Sequence, residues 1–318
     1  MRKLLLALLA LALIPSSAFA WGCDGHQIIA MIARAHLTPA VSAEVDKILT
    51  ADPISAAHNK FCQDTPTDLM AVAAPWADDV KSSTKTFLWH QIDIPITVRS
   101  GDYHKWCDPI GPSVNGKDRP GCVINAMEYE LNILRDAAQP AAERATALRM
   151  IIHFMGDLTQ PLHVSDNHDE GGNCTWFRLP FLEKPTNLHA IWDYELITHE
   201  LQTRKLSETE LAALLDDEFS DQGKQWLAGG GNHIEGFAWE AHARGITFVY
   251  SLLDPALPMA APDAGLANKA SCDADKKLGQ ERNVELPQNY IDIARNTVHE
   301  QVAKAGYRLA ALLNETLK

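Results

Sequence analysis

Positive charge is scarce in this chain: 28 lysines and arginines stand against 41 aspartates and glutamates, a formal net charge of −13 over 318 residues. Capture of long nucleic-acid duplexes by charge alone needs a basic surface, so that mode of action is disfavoured. No Gly/Ser-rich or Pro-rich linker divides the sequence, no internal repeat runs through it, and strand-like alternation is missing apart from a short ribbon near residues 177–181. What remains is an all-α fold, read as one mainly helical domain over residues 21–318 with long loops. The six cysteines contain no Cys-x-x-Cys spacing, which removes the usual mark of a zinc-thiolate site. The apolar run Leu4 to Pro15 is too short to span a bilayer.

That run follows a basic Met1-Arg2-Lys3 start and precedes Ala18-Phe19-Ala20, the small-x-small pattern of a secretory signal peptide over residues 1–20. Cleavage after Ala20 gives an exported chain, periplasmic or extracellular, that begins at Trp21 with a free α-amine. Losing Arg2 and Lys3 takes its net charge to −15. An oxidising compartment permits three disulfides. Cys107 and Cys122 bracket a Gly/Pro/Asn-rich stretch suited to a loop staple, while Cys23, Cys62, Cys174 and Cys272 cannot be paired from sequence.

Helical periodicity marks residues 26–36, a second helix opened by Thr38-Pro39, and residues 122–137, 141–158, 188–201, 208–219, 235–253 and 289–317. Turn-forming residues gather in 52–67, 100–121, 165–184 and 258–280, which read as loops. Positions four apart share a helix face, so His153 with Asp157, and His189 with Asp193, each present an imidazole and a carboxylate together. Pro161 should end the helix and turn His163 back toward them. A lone His/Asp pair of this kind is usually a hydrogen bond. Here two pairs are joined by His163, by Asp78 in Trp76-Ala77-Asp78-Asp79, by His90 in Trp89-His90-Gln91-Ile92-Asp93, by His26, and by the amine of Trp21. Nine nitrogen or carboxylate ligands exceed the needs of one tetrahedral zinc and imply a multinuclear site. The remaining histidines read as ordinary surface, loop or packing residues, with His168 beside the cleft the one to examine.

In these blocks, in their order, and in Gly171-Gly172-Asn173 and Gly306-Tyr307-Arg308-Leu309-Ala310, nearly the whole mature chain resembles the single-strand-specific zinc nucleases and 3′-nucleotidases of the S1/P1 type. The resemblance implies three Zn²⁺ ions: one on Asp78, His90, His153 and Asp157; a second on the amine and carbonyl of Trp21, His26 and the other oxygen of Asp157; a third on His163, His189 and Asp193. It also implies a bridge between Cys107 and Cys122. A water acidified by zinc then hydrolyses single-stranded DNA or RNA to 5′-phosphate products and removes 3′-phosphate from 3′-nucleotides. The positive charge that this acidic chain lacks comes mainly from the metal.

Two matched positions depart from the family pattern. Lys81 replaces an arginine expected to neutralise phosphate, and Gln91 replaces an aromatic that stacks on the base. Asp93 keeps the base-contacting carboxylate. Asn173 is a candidate substrate contact, although its Gly-Gly-Asn segment could be a turn and nothing more. Two rivals stand beside this reading. A zinc-dependent phospholipase C shares the helical fold and an N-terminal Trp ligand but usually supplies Glu where this chain has Asp193. A non-catalytic zinc-binding secreted protein would close each metal with four protein ligands, whereas nine ligands over three metals leave open positions. The expected partners are single-stranded nucleic acid and nucleotides, met by a monomer with no membrane insertion.

Overall fold

The computed structural model describes residues 21–55, 62, 66–253 and 269–318; the expected signal peptide (1–20), His58 and the first part of the 258–280 loop lie outside the described residues. Most of the described residues are helical. In order, α1 is Gly22–Ala35, α2 Pro39–Ala51, α3 Leu69–Ala73, α4 Trp76–Thr84, α5 Val123–Arg135 and α6 Ala141–Thr159. Then come α7 Leu188–Ala190, α8 Leu196–Arg204, α9 Glu208–Glu218, α10 Ser220–Ala228, α11 Ile234–Arg244, α12 Lys269–Arg282 and α13 Gln288–Thr316. A two-residue ribbon, β1 Trp176–Phe177 paired antiparallel with β2 Thr186–Asn187, is the one small sheet among the described residues.

Burial explains why α6 is central. Every residue from Ala147 to Thr159 is buried, as expected of a helix surrounded by others, and α5, α13, α2 and α11 all pack on it. Helix α1 shows a sharper apolar face and packs on α13, α9 and α3. The close approach of α1 to α6 depends on Gly156, because a Cβ there would lie 2.8 Å from the His26 ring. Thr38 caps α2 by accepting the Val41 amide, with Pro39 in the first turn.

Cys107 is bonded to Cys122, Cys23 to Cys62 and Cys174 to Cys272, so no cysteine is free. Among the described residues no helix is long and apolar enough to cross a membrane.

Three expectations need correction. Residues 269–280, read as loop, belong to α12; its run is largely polar and exposed, so no apolar stripe betrays it, and Cys272 ties it to the strand region at Cys174. The helix expected over 235–253 ends at Arg244 and continues as a π turn, Gly245–Tyr250. The helix expected over 188–201 is likewise interrupted by a π turn, Ile191–Glu195, that carries Asp193.

Candidate metal centre

Four parts of the chain meet in the middle of the molecule. Helix α6 supplies His153 and Asp157, both without solvent exposure. Just beyond it, Pro161–His163 forms a 3₁₀ turn whose first amide is taken by the Gln160 side chain, and this brings His163 back to the helix. Helix α1 contributes His26, and α4 with the following 3₁₀ turn Phe87–His90 contributes Asp78, Lys81 and His90. The stretch running from α7 through its π turn contributes His189 and Asp193.

The two oxygens of Asp157 look in different directions. Oδ2 lies 3.0 Å from His90 Nδ1 and 3.2 Å from His153 Nε2; Oδ1 faces His26 Nε2 at 3.5 Å and His163 Nδ1 at 3.7 Å. His90 Nδ1 is itself 3.1 Å from His153 Nε2, and the His26 ring stacks on the His153 ring at 3.9 Å. Asp193 Oδ2 is 3.2 Å from His189 Nε2, and Asp193 Oδ1 is 3.5 Å from His163 Nε2. Three groups therefore have ligand atoms within 4.8 Å of one another: His26, Asp78 and His153; His90, His153 and Asp157; His163, His189 and Asp193.

Despite this crowding, the atoms do not satisfy each other. Both ring nitrogens of His26, both oxygens of Asp157, Nε2 of His90 and His163, and Oδ2 of Asp193 are buried without a hydrogen-bond partner. Buried polar atoms are normally paired, so a convergent set of lone pairs fits a cation. The outward ring nitrogens tell the same story. His153 Nδ1 donates to Ala74 O at 2.8 Å, His163 Nδ1 to His90 O at 2.7 Å and His189 Nδ1 to Gly171 O at 2.7 Å, which leaves each Nε2 as a lone pair aimed inward. The Gly171-Gly172-Asn173 segment is thus a turn with a task. Gly171 has φ 59°, and a Cβ on it would strike Leu162 O at 2.5 Å.

Charge agrees with geometry. Burial pushes the His90 imidazole down to about 4. Burial opposes protonation of His163 too, but Asp193 beside it carries that ring up to about 9, so a cation is favoured between them. Burial would raise Asp157, yet His153 and its other histidine neighbours hold it well below the usual carboxylate range. Nitrogen and carboxylate donors, with every cysteine locked in a disulfide, make a donor set that suits zinc without thiolate.

Trp21 is fully buried, its indole Nε1 donating to Gly156 O at 2.7 Å. Its backbone nitrogen lies 3.0 Å from Asp193 Oδ1, the acid of the His163/His189 group. Lys81 is buried with Nζ 2.8 Å from Asp78 Oδ1, and it lines a cleft with Asp78, His90, Gln91, Asn173 and Phe87. Asp93 is half-buried; burial, then Asp166 and Glu170, push its carboxyl up to about 7. His168 is exposed in a left-handed turn, His36, His104 and His299 pair with nearby carboxylates, and buried His242 is held by the carbonyls of Val98 and Val164.

Four contributors escaped sequence reasoning. The carbonyls of Ala74 and Gly171 are backbone groups without a residue signature. Gln160 donates to Asp193 Oδ1 at 2.5 Å, and the signal for it was its place between Asp157 and Pro161. Phe87 lies three residues before His90, one repeat of the 3₁₀ turn.

Comparison with known proteins covers nearly the whole chain from Trp21 onward. The family model "S1/P1 Nuclease" matches residues 21–318. The chain is 28% identical to Nuclease P1 of Penicillium citrinum over 304 residues, covering 93% of this chain and 97% of that protein. It is 28% identical to Nuclease S1 of Aspergillus oryzae over 319 residues (93% and 91%), and 29% identical to Endonuclease 2 of Arabidopsis thaliana over 309 residues (92% and 89%). With its buried His/Asp groups and a match that begins at Trp21, the chain belongs to the S1/P1 nuclease family.

Proposed function

We propose that the protein is an exported zinc-dependent endonuclease that cleaves single-stranded DNA and RNA to 5′-phosphate products and removes 3′-phosphate from 3′-nucleotides. The observation that carries this reading is the orphaned carboxylate of Asp157, whose two oxygens serve two sets of histidines. A bridging carboxylate needs that arrangement. Asp78, His90, His153 and Asp157 would hold one zinc, Trp21 and His26 with Asp157 a second, and His163, His189 and Asp193 a third. Zinc supplies Lewis acidity here, making water nucleophilic near neutral pH and offsetting negative charge on phosphate oxygens.

The chain's own groups do the rest. Lys81 brings a fixed ammonium to the cleft wall, where it is held by Asp78 and faces the space a phosphate would enter. The carbonyls of Ala74, His90 and Gly171 fix the imidazole tautomers. Asn173 and Gln91 offer amides at the same wall, and Asp93, raised toward neutrality, can donate as well as accept a hydrogen bond from a base edge. Cleavage after Ala20, export and a monomer folded as one unit from Trp21 onward are part of this proposal, and the three disulfides fit an oxidising compartment.

The deciding experiment incubates zinc-loaded mature protein with single-stranded DNA, RNA, duplex DNA, 3′-AMP and phosphatidylcholine, identifies the products, and repeats the assay after chelation. Oligonucleotides ending in 5′-phosphate, lost on chelation and restored by zinc, are expected. Release of phosphocholine alone would make it a phospholipase C; zinc content without turnover on any ester would make it a zinc-binding protein.

A further inference from the structure

The cleft wall is polar or ionisable at Asp78, Lys81, His90, Gln91 and Asn173, yet one member is an open hydrocarbon ring. Phe87 is 44% exposed, and its ring centroid is 5.4 Å from Lys81 Nζ. Its placement follows from local geometry. The 3₁₀ turn Phe87–His90 has three residues per turn, so residues i and i+3 eclipse and Phe87 stands on the same side as His90. Trp89, off that line, turns into the core at 1% exposure, where Pro120 O accepts from its indole. A phenyl ring left facing water beside a buried ammonium makes a flat, apolar surface within reach of a phosphate site.

Resting on the proposed function, we infer that Phe87 is the stacking platform for the nucleobase of the bound nucleotide, a role that Gln91 on the neighbouring wall lacks the ring to fill. The substrate class is therefore a nucleotide recognised through the face of its base, which every base possesses, rather than through a hydrogen-bonding edge alone. Lys81 serves both ends of this arrangement: its ammonium lies over the Phe87 ring and at the wall of the cleft a phosphate would enter. Purines, with the larger face, stack more strongly than pyrimidines.

The test compares the zinc-loaded wild type with Phe87→Ala and Phe87→Tyr on 3′-AMP and on an abasic deoxyribitol 3′-phosphate, with the inhibition constant of adenosine as a readout independent of turnover. Phe87→Ala should raise KM for 3′-AMP and weaken adenosine about 5- to 150-fold, the span of ~1–3 kcal/mol per stacked base. Its kcat, zinc content and KM for the abasic ester should stay near wild type, and Phe87→Tyr should restore binding. Equal effects on the abasic and adenine substrates, or none on either, would overturn the assignment of Phe87 while leaving the nuclease intact. A wild type that turns over neither ester overturns the proposed function and this inference with it.

Discussion

Two clusters of buried charge lie a few turns apart, and they are built on opposite rules. In the network between α11 and α13, Lys304 Nζ donates to Glu240 at 2.5 Å, Glu300 at 2.9 Å and Gln301 at 3.3 Å, so its three hydrogens meet three acceptors. Arg308 also donates to Glu240, and Arg244 to Glu300 at 2.7 Å. Donors and acceptors there are matched but for Arg308 Nη1, which is buried without a partner. In the His/Asp groups many inward atoms, among them both oxygens of Asp157, Oδ2 of Asp193 and both ring nitrogens of His26, have no partner. Buried charge alone does not mark a site; a set of groups that closes on itself is scaffold, whereas one left short of a cation is prepared for something else.

The sharpest break between the two comes from neutralising one member of each. Asp157→Asn keeps shape but removes the bridging charge, and should lose at least one zinc and about 100-fold or more in activity. Lys304→Met should keep zinc content and turnover while lowering stability by about 1–3 kcal/mol, because it removes one charged donor from Glu240, Glu300 and Gln301. Elemental analysis, turnover of single-stranded DNA and denaturant midpoints distinguish them. Asp157→Asn and Asp79→Asn with the same zinc content and rate would show that the bridge is misassigned.

Next in size is the chain terminus. A residue retained ahead of Trp21 replaces an amine with an amide, which has no lone pair for a metal, so most activity should vanish while the fold survives. Circular dichroism and zinc content of proteins with and without the extra residue provide the check. Full zinc and full turnover in the extended chain would remove Trp21 from the ligand set.

Smaller again is Lys81, which belongs to neither rule because it is paired with Asp78 and also faces the cleft. Lys81→Ala should lower kcat and kcat/KM together by roughly 10- to 100-fold, the equivalent of ~1.5–3 kcal/mol for a charged hydrogen bond, and Lys81→Arg should retain activity. Wild-type kinetics in Lys81→Ala would leave charge neutralisation to the metal alone.

The smallest effect sharpens the scaffold side. Burial raises Glu130 to about 7 from an ordinary 4.5, with Arg119 only partly opposing. The folded state thus keeps a proton that the unfolded state releases, so stability falls as pH rises from about 4.5 to 7 and levels off above. Glu130→Gln should flatten that decline and stabilise the protein near neutral pH by ~1–3 kcal/mol. Parallel slopes in thermal midpoints against pH would contradict it.

Periodicity made the long helices legible, because α1, α5, α6 and α13 each bury a stripe or a whole circumference. Helices α3, α4 and α10 are too short to give a period, and α12 buries too little to have one. Around the site, spacing was enough to place His153 with Asp157 and His189 with Asp193, and Pro161 to bend His163 toward them. Carbonyls that orient rings, the pairing of Cys23 with Cys62 and of Cys174 with Cys272, and the position of Trp21 beside Asp193 are long-range facts. No local window contains them. Phe87 was missed for a different reason: a neighbour of His90 was expected at Gln91, but the 3₁₀ turn repeats at three.

Trp21 is anchored by its indole to Gly156 and by its backbone nitrogen to Asp193, independently of anything the amine later does. On the proposed reading, a precursor can therefore fold with this tryptophan already seated, yet remain disarmed, since a peptide nitrogen cannot join the metal. Removal of the leader is then the moment of arming as well as of release.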